Sequence, residues 1–148
     1  MTDPIRRRND RPRLREEGAT YFVTWCLARG APPLTDDERT VVADCLQHFD
    51  GVRYHLDAWL VMDDHIHVVV APLEGRSLDS LLHSWRSFVA HTLAKRGRQV
   101  PMWRRDEHDR IVHADGELAE KVAYVAGNPW RRWPDAAQYP WVFPQPEP

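Results

Sequence analysis

The chain has 148 residues, 43% of them hydrophobic and 28% charged, with a formal net charge of −2. That length suits one domain with a proper core, and no apolar run approaches the ~20 residues of a membrane span. The near-neutral balance excludes a global basic field, so a nucleic-acid partner has to be held by local patches.

Residues 1–17 carry Arg6, Arg7, Arg8, Arg11, Arg13 and Arg15 with few apolar groups. This is the composition of a flexible basic arm, read either as a solvated tail or as a phosphate contact. It lacks the apolar region of an export signal, so the expected location is the cytoplasm. Over 19–28, Tyr21, Phe22, Val23, Thr24 and Trp25 predict a strand, ended by Pro32 and Pro33. Thr35 and Glu38 have capping-box spacing, and Val41, Val42, Cys45, Leu46 and Phe49 recur at helical spacing up to Gly51.

Residues 54–62 predict the next strand, with Tyr54, Leu56, Ala58 and Leu60 on one face. Residues 65–71 pair with it across an Asp63-Asp64 turn. Ser77 caps a longer helix to about residue 96, its buried stripe being Leu78, Leu81, Leu82, Trp85, Phe88, Val89 and Leu93. The stretch 102–112 is too charged for a core element except at Ile111 and Val112, which predict a short edge strand.

Asp115 caps a last helix to about Gly127, with Leu118, Val122 and Val125 toward the sheet and Tyr124 on its flank. Pro129 disfavours helix at Asn128, which is expected to end the element with its amide turned inward. Residues 130–148 hold Trp130, Trp133, Tyr139, Trp141 and several prolines, a tail that packs by aromatic burial. Cys26 and Cys45 read as small buried apolar residues, not as a disulfide. The element order predicts an α+β, two-layer, ferredoxin-like domain, an antiparallel sheet covered by helices.

Chemistry concentrates on two places. His65 and His67 sit two apart in a strand and so point to one face, which makes either half of a metal site or two satisfied sheet histidines. Of the four tyrosines, Tyr21 and Tyr54 belong to strand patterns and Tyr139 to the tail. Tyr124, on a helix flank, is the best nucleophile candidate; the alternative is a surface tyrosine on an amphipathic helix.

Ala58-Trp59-Leu60-Val61-Met62-Asp63-Asp64-His65-Ile66-His67, then Trp103 and Asp109-Arg110-Ile111-Val112, then Tyr124-Val125 and Asn128-Pro129, together resemble the REP-associated tyrosine transposases. These are single-tyrosine members of the HUH (His-hydrophobe-His) nuclease superfamily, and the likeness runs from Tyr21 to Trp141. It implies an HUH transposase-like catalytic domain over 18–129, between the arm and the tail. It also implies that His65, His67 and Asn128 hold a divalent ion, Mg²⁺ or Mn²⁺. Tyr124 then attacks a phosphodiester of hairpin-bearing single-stranded DNA, giving a 5′-phosphotyrosine link. Such a protein acts as a monomer or homodimer.

Phosphate contacts are expected from Arg6, Arg7, Arg8, Arg104, Arg105, Arg110, Arg131 and Arg132. Three positions depart from the family pattern. Asp63-Asp64 replaces the usual Pro-Asn turn, with Asp64 either near the metal or making an Asx-type turn. His108 replaces an aromatic, as a further contact or a surface histidine. Trp130-Arg131-Arg132-Trp133 replaces a small apolar run, its tryptophans stacking on bases or packing on the body. Competing classes are an HUH replication initiator and a non-catalytic hairpin-binding module that presents Tyr21 and Trp25 to nucleic acid.

Overall fold

The structure, a computed structural model, describes residues 15–113 and 115–146. Arg6, Arg7 and Arg8 lie outside the described residues. The elements are β1 (Thr20–Leu27), α1 (Asp36–Gln47), β2 (Tyr54–Val61), β3 (His65–Pro72), α2 (Leu78–Ala94), β4 (Trp103–Val112), α3 (Asp115–Arg132) and β5 (Val142–Phe143). The sheet order is β4-β1-β3-β2-β5, with every neighbouring pair antiparallel. The first four strands and two helices thus follow the expected ferredoxin-like βαββαβ path.

Alternation along the strands sorts side chains to two faces. On one face Tyr21, Val23, Trp25, Ile66, Val68 and Val70 meet Val42 and Leu46 of α1 and Leu78, Leu82, Trp85 and Leu93 of α2. The capping box at Thr35 and Glu38 is present, and Ser77 caps α2 through its hydroxyl. Phe88, expected within the α2 stripe, is 56% exposed. The other face carries a smaller cluster in which Val125 of α3 meets Ala58, Leu60, Met62, Val69 and the tail residues Tyr139 and Val142. Helices therefore cover both sides of the sheet.

Four local expectations are corrected. In β2, a bulge between Leu56 and Ala58 makes Asp57 the extra residue, so Ala58 and Leu60 leave the face of Tyr54 and Leu56. β4 runs ten residues, not two, because its charges find partners: Arg86 with Glu107, Arg15 with Asp109, Arg110 with Glu117. It is an edge strand, so the remaining polar side chains keep their water.

α3 does not stop at Gly127 but continues through Asn128 and Pro129 to Arg132. Burial of Val125 and Pro129 against the second cluster outweighs the local cost of a proline inside the helix. Finally, the irregular tail supplies a fifth strand: Trp59 and Leu60 pair with Phe143 and Val142, and the Val61 N–H donates to the Trp141 carbonyl. Trp130 and Trp133 pack against Tyr139. Arg15, read as part of the arm, is tied to the body by Asp79 and Asp109, and both cysteines are free and half-buried.

Candidate active site

The turn between β2 and β3 is pinned from below. The Leu34 N–H donates to the Asp63 carbonyl and the Leu27 N–H to the Asp64 carbonyl, while Met62 N–H and His65 O close the hairpin. This fixes the start of β3, and strand alternation then presents His65 and His67 on the α3 side of the sheet with ring centroids 4.7 Å apart.

Each imidazole has its Nδ1 occupied. His65 Nδ1 lies 2.7 Å from Asp64 Oδ1. A carboxylate only accepts, so Nδ1 carries the hydrogen, and in the neutral ring Nε2 keeps its lone pair. Burial works against the Asp64 charge, but the His65 hydrogen bond and Arg132 still hold its carboxyl below the usual range. His67 Nδ1 lies 2.7 Å from Thr24 Oγ1, its cross-strand partner on β1. In the tautomer in which Nδ1–H donates to that hydroxyl, Nε2 is again the free nitrogen. His67 is 6% exposed, and burial first, with Coulombic opposition from the His65 and Arg131 side chains, pushes its pKa down to about 3. It is a neutral base at physiological pH.

Phe22, next but one to Thr24, stacks on His67 with centroids 5.5 Å apart and planes at 16°. Tyr124 stands edge-on to both, 5.7 Å from the His67 centroid and 6.0 Å from that of Phe22. Lys121, one turn earlier on α3, lies over the Phe22 ring. Because α3 is continuous, Asn128 follows Tyr124 by one full turn on the same flank, half-buried. Arg131 covers the Tyr124 ring at 4.4 Å and donates to the Tyr124 carbonyl, a group near the helix ladder that Pro129 interrupts.

The tyrosines divide sharply. Tyr21, Tyr54 and Tyr139 are nearly buried, and each hydroxyl donates to a backbone carbonyl, of Glu16, Leu46 and Val61 respectively. Tyr124 is 41% exposed, and its hydroxyl has no hydrogen-bond partner among the described residues. It is the one phenol left available.

The arginines are mostly committed to carboxylates. Arg104 pairs with Asp106, Arg110 with Glu117, and Arg132 with Asp63 and Asp64. Arg105 is exposed. His108 is exposed and pairs in register with Thr24, which puts it on the histidine face one strand out from His67. Tyr21 and Trp25, the aromatics of the binding-module alternative, are 3% and 1% exposed beneath α1 and α2. They offer no stacking platform. Trp130 and Trp133 pack on the body.

Thr24, Phe22, Lys121 and the ring contact of Arg131 are site features that sequence reading missed. The alternation of β1, Thr20-Phe22-Thr24-Cys26 against Tyr21-Val23-Trp25-Leu27, was the available signal for the first two.

As for metal, the described residues contain no group of three or more His, Cys, Asp or Glu side chains that could hold an ion. Two imidazoles with free Nε2 atoms suit a divalent cation only with further oxygen ligands, from an amide such as Asn128, from water or from substrate.

No protein-family model matches the sequence, and no curated protein matches it. Solved structures do. The chain has the fold of a REP-associated tyrosine transposase bound to a REP hairpin, with a TM-score of 0.71 and 19% identity over 88% of this chain and 79% of that one. It is also similar to a candidate transposase from Deinococcus radiodurans R1, with a TM-score of 0.54 and 13% identity over 78% of this chain and 92% of that one.

Proposed function

We propose that this protein is a metal-dependent strand transferase of the REP-associated tyrosine transposase kind, cutting and rejoining single-stranded DNA beside a hairpin. The observation that carries the reading is the single uncommitted phenol, Tyr124, held beside the His67 ring, which shares one sheet face with that of His65. The shared fold with a hairpin-bound transposase supports the choice of substrate.

His65, His67 and Asn128 would hold Mg²⁺ or Mn²⁺. Bound there, the ion supplies Lewis-acid stabilisation of charge on the phosphate oxygens. The chain's residues do the rest. Asp64 and Thr24 fix the two imidazole rings, and Phe22 keeps His67 flat against the sheet. Arg131 and Phe22 hold the Tyr124 ring while leaving its oxygen open.

That oxygen attacks phosphorus, the P–O3′ bond breaks, the phenolic proton goes to solvent or base, and the 3′-oxygen leaves as a hydroxyl. The product is a 5′-phosphotyrosine, which conserves the ester energy for rejoining. A strand seated at His65 and His67 would pass His108 and Arg110 on the same face of β4, of which Arg110 also pairs with Glu117.

Incubation with a single-stranded hairpin carrying 5′ and 3′ flanks, plus Mn²⁺, is expected to give a covalent adduct that survives denaturation. The adduct is expected to vanish in Tyr124→Phe. His65→Ala is expected to lose cleavage while keeping hairpin binding. An adduct that persists in Tyr124→Phe overturns the assignment.

A further inference from the structure

Arg132 was expected to grip DNA phosphate, yet its guanidinium is already engaged inside the protein. Nη2 donates to Asp63 Oδ2 at 2.9 Å, and Nη1 lies 2.9 Å from Asp63 Oδ1 and 3.3 Å from Asp64 Oδ1. The fork therefore spans both carboxylates of the β2–β3 turn. Those carboxylates do different work. The Asp63 side chain is 18% exposed and its backbone carbonyl anchors the turn to Leu34, whereas Asp64 orients the His65 ring. Arg132 itself ends α3, two turns after Tyr124, and its neighbour Arg131 packs on the Tyr124 ring.

One side chain thus ties the end of the tyrosine helix to the turn that sets the first histidine. Burial of Pro129 and the packing of Trp130 and Trp133 on Tyr139 hold that end to the sheet, and Arg132 adds the link to the two carboxylates of the turn itself. Pro129 lacks the N–H that would donate to the Val125 carbonyl, while the Trp133 N–H still donates to the Pro129 carbonyl.

We infer that Arg132, with Asp63 and Asp64, is a positioning latch that fixes the Tyr124 helix relative to the turn that orients His65. This reading rests on the transferase proposal for its kinetic consequence but not for its geometric one. The pair is half-exposed, and exposed ion pairs contribute little to global stability. Its effect belongs in alignment, where small displacements of a nucleophile cost rate steeply.

The test uses the full chain with Arg132→Ala, Arg132→Lys and the swap Asp63→Arg with Arg132→Asp. In the protein without DNA, ring NMR of His65 and Tyr124 is expected to shift together in Arg132→Ala, to return in the swap and to lie between in Arg132→Lys. The Trp85 indole signal is expected to stay put, and Tm to stay within about 3 °C. With a hairpin substrate and Mn²⁺, Arg132→Ala is expected to slow adduct formation roughly tenfold to a hundredfold at unchanged hairpin affinity.

If hairpin affinity falls and neither ring signal moves, Arg132 is a phosphate contact and the latch is refuted. If only one ring moves, the coupling is refuted. If the wild-type chain forms no adduct, the transferase reading fails while the NMR comparison still decides the latch.

Discussion

His65 and His67 differ in what holds them, and that difference is measurable. Asp64 fixes the first ring and Thr24 the second, each through Nδ1. Partners of this kind are worth about 10–100-fold in metal affinity. Mn²⁺ titration by calorimetry is therefore expected to show a loss of about that size in Thr24→Val and in Asp64→Asn, with the fold intact by circular dichroism. Unchanged affinity in both would show that these imidazoles do not ligate. The histidine pair was legible because a two-residue spacing in a strand leaves no choice of face. Thr24 was not, since it meets His67 only through a strand register 43 positions apart in sequence. Asp64 was legible only as an open choice; the structure gives it a third role, as partner to both the histidine and Arg132.

At the scale of elements, charge that repels a core assignment in sequence becomes a stabilising feature once partners are known. The Arg98 side chain, 6% exposed, donates to both Glu38 oxygens and to the carbonyls of Pro32 and Pro33. Arg98 bonding, assisted by the Thr35 cap and opposed by burial, pulls the Glu38 carboxyl down to about 2. A carboxylate with a lowered folded pKa stabilises the fold above its unfolded value and loses that contribution as pH falls toward the folded one. Glu38→Gln is therefore expected to cost roughly 1–3 kcal/mol in urea unfolding at pH 7. The difference from wild type is expected to shrink between about pH 4.5 and pH 2. A pH-independent difference would place the effect elsewhere.

The same lesson explains β4, whose ionic sequence hid all of the strand but Ile111 and Val112, and α3. There a proline rule that holds for isolated chains yielded to buried Val125 and Pro129. The helices α1 and α2 were readable from one apolar stripe each, and the β2–β3 hairpin from two apolar runs flanking an acidic turn. The β2 bulge was not, because a single extra residue leaves no mark on composition.

For the molecule as a whole, the layer over the histidine face is shared between α3 and the tail. Tyr139 is its hub: its hydroxyl donates to the Val61 carbonyl, its ring meets Trp130, Trp133 and Trp141, and burial raises its pKa to about 12. Tyr139→Ala is expected to cost about 3–5 kcal/mol by chemical denaturation, the range for large buried aromatics. A loss below 1 kcal/mol would mean that the tail is an ornament to the domain.

The ferredoxin-like order was legible from the sequence of elements, whereas the tail's strand was not, because two residues carry no period. Asp63-Asp64 and Trp130-Arg131-Arg132-Trp133 looked like unrelated departures from a family pattern. In three dimensions they are partners.

The most direct test of the central claim is mass spectrometry of the protease-digested protein after reaction with a hairpin-bearing single strand and Mn²⁺. One nucleotide-modified peptide is expected, with the 5′-phosphate ester on Tyr124. Modification at Tyr21, Tyr54 or Tyr139, or cut DNA with no modified peptide, would contradict it.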